Sequence, residues 1–118
     1  MISKTTVTFS MKTRKPGPSE VELILSGAVD EVNIGGLENE IAGLIEGGMA
    51  RITIDLSGVT FLSSGVLRII IQYSRTLKQR NGELVLANPQ AMVLKVLRMT
   101  RIDQIVRLIG VPDEKTKE

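Results

Sequence analysis

The sequence predicts a single α/β domain built around a mixed, largely parallel sheet. Its 118 residues fit one domain. Runs with strand-like alternation are followed by runs with helical periodicity, an order that favours parallel strands joined by right-handed crossovers. The consecutive apolar residues 84–86 (LVL) are typical of a strand buried on both faces. We assign residues 1–112 to the domain and the charged residues 113–118 to a flexible tail.

The N-terminal part of the chain predicts a β-hairpin. Residues 5–10 (TTVTFS) are β-branched and alternate with polar residues, as expected of an edge strand. Residues 12–19 are basic and contain Pro-Gly-Pro, which predicts a solvated turn. A second strand begins near Val21 and stops at Gly27. Because a short turn joins the two strands, we expect them to be antiparallel.

The first helix and the third strand are predicted from changes in the spacing of apolar residues along the chain. After Val32, the apolar residues of one helical stripe are Leu37, Ile41, Leu44 and Ile45. Gly47-Gly48 ends this helix. The β-prone residues 51–56 (RITIDL) then predict a strand that ends at a Ser57-Gly58 turn.

The C-terminal half predicts two more helices around a buried strand. A helix starts at Ser63 or Ser64 and runs to about Arg80, where Asn81-Gly82 closes it in the left-handed conformation. Residues 83–87 form the next strand. Pro89 opens a third helix, whose inward residues are Met92, Val93, Val96 and Leu97. A short apolar element spans residues 102–109.

Composition excludes much of enzyme chemistry. There is no cysteine or histidine, so the chain has no thiolate nucleophile, zinc–thiolate site or histidine general base. Neither a Gly-x-x-x-x-Gly-Lys-Ser/Thr loop nor a Gly-x-Gly-x-x-Gly fingerprint occurs. Asp30 and Asp55 could together bind Mg²⁺. Asp55 is also placed to stabilise the Ser57-Gly58 turn through its side chain, and we favour this interpretation. We therefore expect no enzyme activity and no cofactor.

Charge and hydropathy argue against nucleic-acid and membrane partners. The net charge is only +2 and aromatic residues make up 3%, unlike a strong nucleic-acid binder. Acidic residues dominate residues 20–55 and basic residues dominate 68–107, a polarity that can orient a protein partner. No apolar run is long enough to span a membrane, and the N-terminus lacks the apolar region of a secretory signal. We expect a cytoplasmic protein, and weak homodimerisation stays open.

Two loops follow strands at the edge where ligands and partners engage such sheets. They are residues 27–30 (GAVD) and residues 55–65 (DLSGVTFLSSG). In the second loop, Ser63 can be read structurally as the helix N-cap, with Ser64 in the first turn. The alternative is that one of these hydroxyls is a phosphorylation site, because a helix N-terminus accommodates a phosphate.

These segments resemble those of a known family. Residues 54–68 (IDLSGVTFLSSGVLR) look like the signature of the STAS domain, the fold of bacterial anti-sigma factor antagonists. Residues 27–30 resemble the family's Gly-x-x-Asp, and residues 82–89 (GELVLANP) with 93–106 resemble its final strand and helix. The resemblance implies a STAS-like domain with four to five strands and helices packed mainly on one face.

The resemblance also implies a function. Such proteins, when unphosphorylated, bind an anti-sigma factor that is often also a serine kinase, and this binding frees a sigma factor. Phosphorylation at the start of the helix after the third strand then dissociates the complex. A STAS subunit can instead serve as an adaptor in a lipid-transport or signalling complex, which is the alternative reading. A domain that binds Mg²⁺ or a nucleotide through its aspartates is a third.

The alignment with the family places the site residues. It puts the phosphoacceptor at Ser64, with Ser63 as the second choice; Ser63 stands where the family often has Asp. The order Gly65-Val66 also departs from the usual Ser/Ala-Gly. Arg68 lies four residues after Ser64 on the same helical face and could pair with the phosphate. The expected partner-binding residues are Asp30, Ser57, Gly58, Ser63, Gly65 and Arg68.

Overall fold

One five-stranded sheet organises the computed structural model, which describes residues 9–112. In chain order the elements are β1 (Ser10–Gly17), β2 (Glu20–Val29), α1 (Ile34–Glu46), β3 (Arg51–Leu62), α2 (Ser64–Gln79), β4 (Glu83–Ala87), α3 (Ala91–Met99), a 3₁₀ turn (Ile102–Gln104) and β5 (Arg107–Ile109). The strand order is β1-β2-β3-β4-β5. β1 is antiparallel to β2, and the other neighbours are parallel. The predicted α/β class with a mixed, largely parallel sheet is confirmed.

The three helices pack on one face of the sheet. Each parallel strand lies next to the one before it in the chain, so right-handed crossovers place every connecting helix on the same side. Alternate residues of the strands and the inward stripes of all three helices form a single apolar cluster. Its members include Val21, Leu23, Leu25, Ile52, Ile54, Leu56, Leu84, Leu86, Leu37, Ile41, Val66, Ile70, Val93 and Leu97. Val85, between two cluster members on β4, is also fully buried, as the apolar run predicted.

The N-terminal hairpin differs from the prediction. Residues 5–8 of the predicted first strand, like the predicted tail at 113–118, lie outside the described residues. The basic stretch expected to form a turn is instead part of β1, where Arg14 lies opposite Glu22 and pairs with it at 3.0 Å. Pro16 is tolerated there because β1 is an edge strand, and exposed lysine and proline discourage pairing with other chains.

β3 is much longer than predicted. Ser57-Gly58 does not end it, because the strand accommodates extra residues as bulges opposite β2 and continues to Leu62. The Asp55 carboxylate accepts a hydrogen bond from the Ser57 N–H at 2.9 Å, the predicted contact, but inside a strand. Gly58 allows β2 to come close, since a Cβ there would lie 2.8 Å from the Cβ of Ser26. β2 likewise continues past Gly27 to Val29.

The inward face of α3 is narrower than predicted. Val93 and Leu97 are buried as expected, and Leu94 joins them. Met92 and Val96 were predicted to point inward and are instead exposed, because this nine-residue helix buries only one stripe. Among residues 9–112, no helix is long and apolar enough to cross a membrane.

Candidate functional site

The carboxyl ends of β2 and β3 meet at one edge of the sheet. Val29 and Leu62, the last residues of these strands, are register partners. The N–H of Ser63 then donates to the carbonyl of Val29 at 3.0 Å. The loop after β2 and the start of α2 therefore lie side by side, as expected for neighbouring parallel strands.

The loop after β2, residues 30–33, is held by Asp30. Its carboxylate accepts hydrogen bonds from the Val32 N–H at 3.0 Å and from Asn33 Nδ2 at 3.3 Å. Asn33 Nδ2 also donates to the carbonyl of Ala28 at 2.8 Å. The Asp30 side chain thus shapes the loop and the entry into α1, which is an Asx-type role.

Ser63 is the N-cap of α2, as the structural reading predicted. Its backbone is extended, with φ −78° and ψ 165°, and its Oγ accepts from the Val66 N–H at 3.4 Å. The same hydroxyl donates to Glu31 Oε2 at 3.0 Å. Both the proton and a lone pair of Ser63 are therefore engaged.

Ser64 is the first residue of α2, and its side chain is exposed. Its hydroxyl makes no hydrogen bond with any residue in the range 9–112. Ser64 lines a polar cleft of about 250 Å³ together with Glu31, Glu38 and Arg68. The most accessible hydroxyl at the start of α2 is therefore the one that the resemblance assigns as the phosphoacceptor.

Gly65 brings the loop after β2 against the first turn of α2. A Cβ at this position would lie 2.8 Å from Glu31 Oε2 and 2.9 Å from Cδ1 of Ile34. Sequence reasoning missed Glu31. Glu31 directly follows Asp30 and so lies at the same sheet edge as Ser63, which is the one sequence feature that could have identified it. Its hydrogen bond to Ser63 joins residues 32 positions apart, and no local pattern predicts such a contact.

The electrostatics of the cleft are mixed. Arg68 is exposed and forms no ion pair with another described residue. Glu38 accepts a hydrogen bond from the Tyr73 hydroxyl at 3.1 Å. Burial, this hydrogen bond and the charge of Glu38 all raise the pKa of Tyr73, so the phenol stays protonated and keeps donating.

Ser57 and Gly58 do not join this cluster. They lie in the bulged part of β3, up to about 20 Å along the strand from Ser63. The carbonyl of Ser57 accepts from Gln90 Nε2 at 2.7 Å, which links β3 to the start of α3. Of the predicted partner-binding residues, the structure brings together Asp30, Ser63, Gly65 and Arg68.

An exposed apolar patch lies beside the cluster. Phe61 is 52% exposed and Met92 72% exposed, and with Val96 they line a pocket of about 100 Å³. We call Phe61, Met92 and Val96 the Phe61 patch. Phe61 lies two residues before Ser63, so the patch adjoins the start of α2.

The structure separates the two aspartates considered for Mg²⁺. Asp55 is the register partner of Ile24. Asp30 lies six residues further along the chain, about 20 Å away at the usual rise of a strand. Within residues 9–112, no group of three or more acidic side chains could hold a metal ion.

Comparison with known proteins agrees with the fold. The STAS domain family matches residues 11–114. The protein BtrV of Bordetella bronchiseptica, named as a candidate anti-sigma factor antagonist, is 33% identical over 76 residues. That alignment covers 64% of this chain and 66% of BtrV.

Solved structures share the fold at low identity. An anti-sigma factor antagonist from Mycobacterium paratuberculosis is 21% identical with a TM-score of 0.78, and 93% of this chain covers 92% of that one. SpoIIAA in its unphosphorylated form is 18% identical with a TM-score of 0.75, covering 92% of this chain and 93% of its own. The Bacillus SpoIIAA has also been solved in its phosphorylated form, with a TM-score of 0.68, 18% identity and coverage of 92% and 96%. The family match spans nearly the whole chain, and the fold agrees with it: this chain belongs to the STAS domain family.

Proposed function

We propose that this chain is an anti-sigma factor antagonist. In the unphosphorylated state it binds an anti-sigma factor that is also a serine kinase, and so releases a sigma factor. Family membership and the name of the BtrV relative support this role. The observation that carries it is the exposed hydroxyl of Ser64 in the first turn of α2, which makes no hydrogen bond to another described residue.

Ser64 is a better acceptor than Ser63. The hydroxyl of Ser63 bonds Glu31 and caps the helix, so a kinase would have to break both contacts to reach it. At Ser64, the kinase transfers the γ-phosphoryl group of ATP to Oγ, the hydroxyl proton is released and ADP leaves. The helix N-terminus then stabilises the added negative charge, and Arg68, one turn later, can pair with it.

The acceptor is tested by mapping the phosphate. We expect incubation with ATP and the serine kinase encoded nearest to this gene to add one phosphate, located on Ser64 by intact-mass and peptide mass spectrometry. Ser64→Ala removes the modification. Ser63→Asn, which keeps an N-cap side chain but no hydroxyl, leaves it in place. A phosphate on Ser63, or none while the kinase modifies another substrate, contradicts the proposal.

The Phe61 patch gives the partner an apolar anchor next to the acceptor. Interfaces concentrate their binding energy in a few buried apolar and aromatic side chains, and aromatic residues and methionine are enriched there. We expect Met92→Ser to weaken partner binding by roughly tenfold in calorimetry, since about 1–2 kcal/mol is typical for an anchor of this kind.

The control for this prediction lies on the same helix. Met99 is 74% exposed and does not line the pocket of the Phe61 patch. We expect Met99→Ser to leave affinity unchanged and both variants to keep wild-type stability. Equal losses in the two variants would rule out the patch as a specific contact.

A further inference from the structure

The carboxylate of Glu31 occupies the amino end of α2. It is held there by the Ser63 hydroxyl at 3.0 Å and lies close to Gly65, where a Cβ would come within 2.8 Å of Glu31 Oε2. A negative charge at this end of a helix is favourable, because the unpaired N–H groups carry partial positive charge. In the unphosphorylated protein, Glu31 therefore holds the position that an anion on Ser64 would compete for.

A phosphate on Ser64 would enter a cleft that already holds two carboxylates. Glu31 and Glu38 both line it, and Arg68 is the only cation among the described residues that do so. Like charges that share one cleft repel each other unless each has its own partner. Glu38 is fixed by Tyr73 from the neighbouring helix, whereas Glu31 is held by one hydroxyl at an exposed position. We therefore expect the Glu31 carboxylate, and not that of Glu38, to move away from the phosphate.

We propose that Glu31 is the positioning residue through which phosphorylation of Ser64 reshapes the loop after β2. The phosphate binds at the amino end of α2 and pairs with Arg68. The hydrogen bond between Glu31 and Ser63 then breaks, and residues 31–33 shift. The loop carries Val32, whose side chain is 88% exposed, so the shift changes an apolar feature beside the acceptor. This inference rests on the proposed function, since it takes Ser64 as the modified residue.

A double-mutant cycle tests the coupling without a kinase. Ser64→Asp places a negative charge at the acceptor, and Glu31→Gln removes the competing charge while keeping a similar shape. We expect Ser64→Asp to change the folding equilibrium constant more favourably in the Glu31→Gln background than in the wild type, by about three- to tenfold in urea unfolding. Glu46→Gln, at the exposed far end of α1, is the matched control and shows no coupling. Absence of coupling at Glu31, or equal coupling at Glu46, overturns the inference.

Amide hydrogen exchange gives the readout that a purely structural role would not move. In the wild type, the Val32 N–H is held by the Asp30 carboxylate. We expect Ser64→Asp to speed exchange at residues 32–33 at least threefold, and to have no such effect in the Glu31→Gln background. Unchanged exchange in the wild-type background overturns the inference.

The two proposals can fail separately. If the kinase places no phosphate on Ser64, the proposed function fails, while the cycle and the exchange rates still report on Glu31. If Ser64 is phosphorylated but the Ser64→Asp effects are the same with and without Glu31, the proposed function stands and the inference about Glu31 fails.

Discussion

Phosphorylation of Ser64 is expected to lower the affinity for the proposed anti-sigma partner by at least about 100-fold, or roughly 2.7 kcal/mol. The unmodified hydroxyl is small and neutral, and a partner seated over the start of α2 contacts it with little desolvation cost. The phosphate brings about −1.5 to −2 charge. Burying that charge in an interface without full pairing costs several kcal/mol, because Arg68 offers one guanidinium and the neighbouring Glu31 and Glu38 repel it.

The measurement is a titration of the partner with unmodified and with stoichiometrically phosphorylated protein. Ser64→Asp, with one negative charge, is expected to give a smaller loss in the same direction. Gln79→Glu adds one negative charge at the exposed far end of the same helix and controls for net charge. If Ser64→Asp and the phosphorylated protein both bind the partner with wild-type affinity, phosphorylation of Ser64 does not control binding. If Gln79→Glu loses as much affinity as Ser64→Asp, the effect comes from net charge and not from the position of the charge.

The fold class, the order of the elements and the positions of Ser63 and Ser64 at the start of α2 could be predicted from the sequence, because each depends on local signals. The helical stripe of α1 and the run 84–86 are periodic over short stretches. Serine at the start of an apolar helix is a local capping signal, and the structure confirms Ser63 in that role.

The features that the sequence did not predict correctly depend on contacts between segments that are distant in the chain. Ser57-Gly58 has the composition of a turn, yet it lies within β3 because β2 supplies partners on both sides of the bulge. The Glu31–Ser63 contact joins two loops that only the sheet brings together. The exposure of Met92 and Val96 depends on how far α3 reaches over the sheet, which its own residues do not specify.

The Asn81-Gly82 pair shows the same limit and leads to the largest expected loss of stability. The sequence predicted that this pair closes α2 in a left-handed conformation. The left-handed residue is Asn81, with φ 62°, and Gly82 has no positive φ. Gly82 is instead required for space: a Cβ there would strike the backbone carbonyl oxygen of Ala50.

Gly82→Ala is therefore expected to lower the free energy of unfolding by about 2–3 kcal/mol, the upper part of the range for overpacking. The obstructing atom cannot move aside cheaply. The Ala50 carbonyl accepts the Glu83 N–H at 2.8 Å, and the Ala50 N–H donates to Ser19 at 2.8 Å, so a shift would loosen the starts of both β3 and β4. Urea unfolding followed by far-UV circular dichroism measures the change.

Gly43→Ala is the matched control for this substitution. Gly43 lies in α1 at an exposed position with open space where a Cβ would sit, so alanine there is expected to stabilise the protein by about 0.5–1 kcal/mol through the loss of backbone freedom in the unfolded chain. Opposite signs for the two glycines show that Gly82 is needed for close packing against β3 and not for its flexibility. A Gly82→Ala protein as stable as the wild type would mean that the β3–β4 junction tolerates the displacement, and the packing argument would be wrong.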